Sequence, residues 1–155
     1  MWILIVNVLV IVVAGLDCSQ LREAEEVRWR DVSYGFSACT LAASVTNKAV
    51  WAISAEIKHP TGNFYIAQYD ERNKRWAVDS TMPAGASPTK TLAVDPQGNP
   101  AFIGQNQRLY WKREGKWRDM GRAAGIAFGG DGSAYKIGTQ SNRLFKYSDW
   151  TNRWE

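Results

Sequence analysis

Residues 117–154 read WRDMGRAAGIAFGGDGSAYKIGTQSNRLFKYSDWTNRW, and this segment contains every feature from which we assign the fold. An apolar–Ala pair, Ile126-Ala127, precedes the turn dipeptide Asp131-Gly132, and short strand-like runs follow. Asp-Gly is typical of hairpin turns because glycine adopts positive φ at no steric cost. The segment therefore predicts about four short antiparallel strands joined by tight turns.

The same pattern occurs three times along the chain. Tryptophans recur at positions 29, 76, 117 and 154, at intervals of 47, 41 and 37 residues. Each unit has an apolar–Ala pair and a turn residue six positions after its first member: Leu41-Ala42 with Asn47, Leu92-Ala93 with Gly98, and Ile126-Ala127 with Gly132. Periods near 40 residues are typical of propellers, solenoids and arrays. We therefore divide residues 29–155 into the repeat units 29–75, 76–116 and 117–154.

The order of Trp-x-x-(Val/Met), Leu/Ile-Ala, a Gly turn, an aromatic strand and Leu-(Tyr/Phe) before a closing Trp resembles the tectonin-type β-propeller repeat. The third unit carries the pattern most completely, and the first departs from it where Asn47-Lys48 replaces the glycine turn. The resemblance implies an all-β, β-propeller-like fold of three four-stranded antiparallel blades, half of the six blades usual in that family. It also implies a lectin-like surface that binds carbohydrate or lipopolysaccharide.

The first 15 residues have the composition of a secretory signal peptide. Residues 2–14 are apolar except for Asn7, and no charged side chain occurs before Asp17. The run is shorter than the roughly 20 residues of a membrane span, and the small residues Ala14 and Gly15 suit cleavage. We expect residues 1–15 to be removed, residues 16–28 to form an N-terminal arm and the protein to be extracellular. The alternative is an uncleaved anchor or a buried strand.

Two cysteines, Cys18 and Cys39, remain after that cleavage. An even number of cysteines in an exported chain predicts a disulfide. Such a bridge closes a loop of about 22 residues and stabilises the fold by roughly 3 kcal/mol, mainly by restricting the unfolded chain. The alternative is two free thiols, one of them in the N-terminal arm.

The net charge of +4 is concentrated in one segment. Between residues 108 and 122, two acidic residues stand against six basic ones: Arg108, Lys112, Arg113, Lys116, Arg118 and Arg122. A basic face on an extracellular protein favours acidic glycans, anionic lipid headgroups or acidic proteins as partners. The alternative is a solvated rim. We expect neither nucleic acid as a partner nor a stable membrane span.

Residue patterns for catalysis or metal binding are sparse. The single histidine, His59, precedes Pro60 in a predicted loop and lacks visible partners for a triad or a metal cluster. Asp95, Asp119 and Asp131 are candidate glycosidase carboxylates, but Asp95 and Asp131 lie at or near turns, where aspartate is favoured locally. We predict that the protein is not an enzyme and uses no cofactor or metal.

Two tryptophans, Trp111 and Trp150, fall outside the repeat position, and Trp150 lies in the polar segment 148–152. An exposed aromatic ring can stack on the apolar face of a sugar while neighbouring polar groups form hydrogen bonds. The candidate contacts are Trp111, Arg113, Asn142, Arg143, Asp149 and Trp150. A protein interface and ordinary packing are the alternatives for these aromatics. The leading prediction is a secreted, non-catalytic carbohydrate-recognition module, and the alternative is an extracellular assembly subunit that binds proteins.

Three units leave one blade face uncovered at each end of the stack, and exposed apolar faces of that size mark interfaces. A homodimer that completes a six-bladed ring is the predicted assembly. A fragment of a longer chain and a self-sufficient open stack are the alternatives.

Overall fold

The computed structural model of the chain describes residues 31–58 and 64–155. The predicted signal peptide and N-terminal arm, together with Trp29, Cys18 and His59, lie outside these residues. The described part of the chain contains twelve β-strands and no helix, and thus no helix that could cross a membrane. The prediction of an all-β fold is confirmed.

The strands form three four-stranded antiparallel sheets, each built from strands consecutive in sequence. Sheet 1 contains β1 (Ala38–Ala43), β2 (Val50–Lys58), β3 (Phe64–Asp70) and β4 (Arg75–Val78). Sheet 2 contains β5 (Pro88–Val94), β6 (Pro100–Gly104), β7 (Arg108–Arg113) and β8 (Lys116–Arg122). Sheet 3 contains β9 (Gly125–Phe128), β10 (Ala134–Ile137), β11 (Leu144–Ser148) and β12 (Arg153–Trp154). The predicted three four-stranded sheets are confirmed, and among the described strands no sheet closes on itself.

The strands of the three sheets pair in the same register. The apolar–Ala pairs place Ala42 opposite Trp51, Ala93 opposite Ala101 and Ala127 opposite Tyr135. Two positions further along the second strand, an aliphatic pair joins strands two and three of every sheet: Ile53–Ile66, Ile103–Leu109 and Ile137–Leu144. We call these six residues the aliphatic pairs. The sequence repeat is therefore a repeat of strand pairing.

The first turns of sheets 2 and 3 place a glycine at positive φ, whereas the first turn of sheet 1 does not. Gly98 and Gly132 have φ of 88° and 89°, as the hairpin signals predict. In sheet 1 the turn contains one residue more, and Lys48 takes the positive φ, 61°. Positive φ is uncommon outside glycine, asparagine and aspartate. The departure of Asn47-Lys48 from the repeat thus changes the turn and leaves the sheet intact.

The core lies in the two layers between consecutive sheets. Between sheets 1 and 2, Trp51, Ile53 and Ile66 pack against Phe102 and Tyr110. Between sheets 2 and 3, the opposite face of sheet 2 packs against sheet 3, with these buried members: Ala101, Ile103, Leu109, Trp111, Ala123, Ala134 and Tyr147. Because successive residues of a strand point to opposite faces, sheet 2 is buried on both sides. Its strand β6 is correspondingly apolar and fully buried from Pro100 to Gly104.

The recurring tryptophans lie on the fourth strand of each sheet. Trp76, Trp117 and Trp154 pair with Tyr69, Lys112 and Tyr147. The units 76–116 and 117–154 therefore each begin in the last strand of one sheet and continue through most of the next.

Two of these indoles donate to a backbone carbonyl three residues after the preceding tryptophan of the repeat. Trp154 Nε1 donates to the carbonyl of Met120 at 3.0 Å, and Trp76 Nε1 donates to that of Val32 at 3.1 Å. Each bond ties one sheet to the strand or segment that precedes it in sequence.

Cys39 lies exposed on β1 as a free cysteine, with its sulfur 3.7 Å from the carbonyl of Ser54. The pairing of Cys39 with Cys18 stays a prediction, because Cys18 lies outside the described residues.

Candidate ligand-binding groove

A polar groove of about 330 Å³ lies between sheets 2 and 3, at the end of the sheets that carries the turns β5–β6, β7–β8, β9–β10 and β11–β12. Its lining combines one aromatic ring with carboxylates, amides and a guanidinium: Asp95, Gln97, Asn99, Trp111, Arg113, Glu114, Asp131, Gly132 and Asp149. Antiparallel meanders place alternate turns at the same end of a sheet, so residues distant in sequence converge here. We call this site the groove.

The floor of the groove is a rigid hydrogen-bonded unit. Asp95, 2% exposed, accepts hydrogen bonds from the backbone N–H of Asn99 at 2.8 Å and from Trp111 Nε1 at 3.1 Å. The Asn99 side-chain amide also donates to the carboxylate. The turn therefore consumes the hydrogen-bonding capacity of Asp95 and holds the Trp111 ring in one orientation. Trp111 is 5% exposed, so its contribution to the groove is mainly structural.

Arg113 joins the two sheets across the groove. Its guanidinium lies 4.7 Å from the Trp111 ring centre and 5.3 Å from that of Tyr147. It donates to the Tyr147 hydroxyl at 3.1 Å and to the Asp149 carboxylate at 2.6 Å. A guanidinium is suited to this place because its planar fork stacks on aromatic rings and bonds carboxylates at the same time. Arg113 is thus held in place by both walls of the groove.

Trp150 lies in the β11–β12 turn, directly after the groove residue Asp149. Its side chain is 96% exposed, the most exposed of the large hydrophobic residues among those the structure describes. The turn itself is ordered by hydrogen bonds: Thr151 N–H donates to Ser148 Oγ, and the Tyr147 hydroxyl donates to Asn152. The ring is therefore presented to solvent from a fixed support.

The six residues predicted as contacts divide into two groups. Trp111, Arg113 and Asp149 line the groove, and Trp150 follows Asp149 in the same turn without being part of the lining. Asn142 and Arg143 lie in the β10–β11 turn, at the other end of β11, and are not part of the lining. The intervening strand, Leu144–Ser148, spans roughly 16 Å at about 3.3 Å per residue. A single small ligand in the groove does not reach both groups.

The basic segment 108–122 is largely neutralised by ion pairs. Arg108 bonds Asp119, Lys112 bonds Asp79 at 2.6 Å, Arg113 bonds Asp149 and Arg118 bonds Glu114 at 2.6 Å. The groove itself contains four carboxylates against one guanidinium. The local charge of the site is consequently negative, although the chain as a whole is positive.

The carboxylates of the groove are engaged in local structure. Backbone N–H and hydroxyl of Ser133 donate to Asp131, at 2.9 Å each, and these bonds lower the pKa of Asp131 below its ordinary value. Asp95 forms the turn described above. Among the described residues, no group of three or more His, Cys, Asp or Glu side chains is arranged to hold a metal ion.

A second cavity, of about 260 Å³, lies along the first strands of the three sheets. It is apolar, and each sheet contributes the alanine of its apolar–Ala pair, Ala42, Ala93 and Ala127. The first strands β1, β5 and β9 are therefore neighbours, and the sheets are arranged around a shared line.

The sequence singled out Trp111, Arg113, Asp149 and Trp150 but did not select Gln97, Asn99 or Tyr147 for the site. Their signal was present in the repeat: Gln97 and Asn99 flank the turn glycine Gly98, and Tyr147 corresponds to Tyr69 opposite a closing tryptophan. Comparison with family models and with curated proteins finds no match to this chain.

Proposed function

We propose that this protein is a secreted, non-catalytic glycan-recognition module whose three sheets are consecutive blades of a propeller-type stack, and that the groove is its binding site. The observation that carries the proposal is Trp150, a 96% exposed indole on an ordered turn beside a polar groove. Solvent exposure of so large an apolar ring has a free-energy cost that a stacking ligand removes.

The groove offers the polar complement that a sugar requires. Gln97 provides an amide group, and Asp149 and Glu114, although paired with Arg113 and Arg118, are exposed and retain oxygens that can accept from hydroxyl donors. Ligand sites typically combine an apolar surface with a few placed polar groups. Four carboxylates in the lining disfavour anionic sugars, so we expect neutral glycans to bind more tightly than sialylated or sulfated ones.

A glycan array that contains neutral and acidic sugars tests the proposal. We expect saturable binding that free sugar competes. Trp150→Ala should weaken this binding about tenfold, because the loss of an aromatic stack costs about 1.4 kcal/mol. Arg143→Ala is the matched control, since it removes an exposed side chain at the opposite end of β11. Silence of the wild-type chain on both sugar classes contradicts the proposal.

An extracellular assembly subunit that binds proteins is the second candidate. It is favoured by one observation, the exposure of Leu144 and Ile137 on the outer face of sheet 3, at 66% and 42%.

A further inference from the structure

The outer face of sheet 3 is apolar and uncovered among the described residues. Ile137 pairs with Leu144, and Tyr135 pairs with Lys146, so that these four side chains lie on one face. The opposite face of the sheet, with Ala134 and Tyr147, packs against sheet 2. We call the uncovered side the free face of sheet 3.

The repeat shows what this face is built to contact. The aliphatic pairs of sheets 1 and 2 are buried by the sheet that follows each of them: Ile53 and Ile66 are 1% and 0% exposed, and Ile103 and Leu109 are 5% and 0% exposed. The same pair in sheet 3, Ile137 and Leu144, is exposed because no sheet follows it in the structure. The chemistry of the face is therefore that of an interface between sheets.

Sheet 1 presents the complementary surface at the other end of the stack. A row of directly paired residues crosses this sheet, Leu41, Ala52, Ala67 and Val78. Phe36 covers the two alanines and stacks on Trp76 with ring centres 5.0 Å apart, whereas Leu41 and Val78 are each 40% exposed. We call this surface the free face of sheet 1.

We propose that a second copy of this chain covers the free face of sheet 3 with its free face of sheet 1, and that the reciprocal contact closes a two-copy ring. Within the chain, each aliphatic-pair face already packs against the opposite face of the next sheet, so the contact continues an existing interface geometry. A pair of copies related by a two-fold axis satisfies both free faces and leaves no end open.

The area involved sets the strength of the dimer. Strand spacings of about 4.8 Å and rises of about 3.3 Å give a full sheet face an area of about 300 Å². Phe36 already covers part of the free face of sheet 1, so a closed ring buries less than the roughly 1,200 Å² of four full faces, which is the size of a weak or transient interface.

Charge supports the same pairing. In the contact between sheets 2 and 3, Arg113 bonds Asp149, two residues after the tyrosine that pairs with the closing tryptophan. In sheet 1 the corresponding residue after Tyr69 is Glu71. Lys146 lies on the free face of sheet 3, two residues from Ser148, whose register position corresponds to that of Arg113. Glu71 bonds Lys74 within the chain, and its side chain is 65% exposed, so we expect Lys146 of one copy to join this ion pair of the other.

Sedimentation velocity of the full chain at micromolar concentration tests the proposal. We expect a dimer for the wild type and a monomer for Leu144→Asp, because the substitution should raise the dissociation constant of the dimer by about 100-fold or more. Val45→Asp is the matched control, because Val45 is 82% exposed in the β1–β2 turn, away from both free faces, and this variant remains a dimer.

A charge exchange between the two faces identifies the partner surface. Lys146→Glu and Glu71→Lys are each expected to weaken the dimer about tenfold, and the double variant is expected to recover it. A dimer that Leu144→Asp leaves unchanged overturns the proposal. A wild type that is monomeric overturns the proposal as well. In that case, a melting temperature lower for Leu144→Asp than for the wild type shows that another part of the same chain covers the free face of sheet 3.

Discussion

The two interfaces between sheets use the same elements with opposite results. Between sheets 1 and 2, the Lys112 ammonium lies 5.9 and 5.8 Å from the Trp51 and Trp117 rings and bonds Asp79, whose side chain is only 5% exposed. Between sheets 2 and 3, the Arg113 guanidinium lies over aromatic rings in the same way, but its carboxylate partner, Asp149, is 73% exposed. One arrangement is closed and the other opens to solvent.

The difference shows how a repeated framework separates stability from binding. In the closed interface the cation bonds the carboxylate and lies over the rings, and all of these groups are shielded from solvent, so that a ligand cannot reach them. In the groove, the guanidinium is fixed by Tyr147 while Asp149 faces water, and the next residue, Trp150, is exposed as well. Exposed ion pairs contribute little to stability, typically below about 1 kcal/mol. The groove is therefore the interface at which polar groups can change partner at low cost.

Removal of the ring at the centre of the closed interface has the largest expected effect. Phe102 is 0% exposed and lies 5.2 and 5.1 Å from the Tyr110 and Trp117 rings. We expect Phe102→Ala to lower the free energy of unfolding by about 4 kcal/mol, through lost burial and the cavity that remains. Urea denaturation measures it, and the half-buried Phe128 of the second interface provides the comparison. Equal losses for Phe102→Ala and Phe128→Ala contradict the distinction between the two interfaces.

The fold was largely predictable because the repeat fixes it through many weak, consistent signals. The Gly98 and Gly132 turns and the apolar–Ala pairs located the first two strands of their sheets. The position that Leu109 and Leu144 occupy on the third strand belongs to Ile66 in sheet 1, and the repeat in the sequence did not locate that residue. Beyond the Ile53–Ile66 pair, the register of β2 and β3 is irregular up to Lys58, and the repeat has no signal for this irregularity.

The site was predictable only in part, because composition cannot distinguish paired from unpaired charges. The six cations between residues 108 and 122 indicated a basic face, but the partners Asp79 and Asp149 are 33 and 36 residues distant from Lys112 and Arg113. Trp111 and Trp150 were equivalent as off-repeat tryptophans, and only the packing shows one buried and one exposed. Non-local contacts of this kind have no signal in a single sequence.

Loss of the closed ion pair has the second largest expected effect. Asp79→Asn leaves the Lys112 ammonium without its carboxylate in a site where its side chain is only 18% exposed. We expect the free energy of unfolding at neutral pH to fall by about 2 kcal/mol, less than for a fully buried pair because Lys112 retains some solvent. Asp149→Asn in the groove is the matched variant, and its loss should be smaller than about 1 kcal/mol.

The pH dependence of that effect follows from the pKa of Asp79. Burial acts to raise this pKa, but hydrogen bonds from Lys112 and Thr81 outweigh it and hold the pKa below its ordinary value. A depressed carboxylate pKa stabilises the folded state above the unfolded pKa of about 3.9, and the stabilisation is lost as pH falls through the folded value. The difference between wild type and Asp79→Asn should therefore be full at pH 7 and shrink at pH 2. A difference independent of pH over this range contradicts the ionic role of Asp79.

The smallest expected effect concerns the closing tryptophans. Trp154 Nε1 donates to the carbonyl of Met120, three residues after Trp117, and thereby ties sheet 3 to sheet 2. The corresponding carbonyl for Trp117 is that of Asp79, yet within the described part of the chain the buried Trp117 Nε1 has no acceptor. Asp79 contributes its side chain, which accepts from Lys112. Three residues after the closing tryptophan, the closed interface therefore has a carboxylate in an ion pair, and the groove interface has a backbone carbonyl that accepts from an indole.

A pair of identical substitutions isolates the value of that bond. Trp154→Phe and Trp117→Phe remove the same atoms, but only the first breaks a hydrogen bond, and it leaves the Met120 carbonyl with Lys136 as its remaining donor at 3.3 Å. We expect Trp154→Phe to cost about 1 kcal/mol more than Trp117→Phe, since the latter also relieves an unsatisfied buried N–H. Chemical denaturation of both variants measures the difference. Trp76→Phe is a third variant for comparison, because it also breaks an indole hydrogen bond, the one to the Val32 carbonyl. If Trp117→Phe proves the costlier change, the indole of Trp117 has a polar partner, and the closed interface is held by more than the ion pair and the rings.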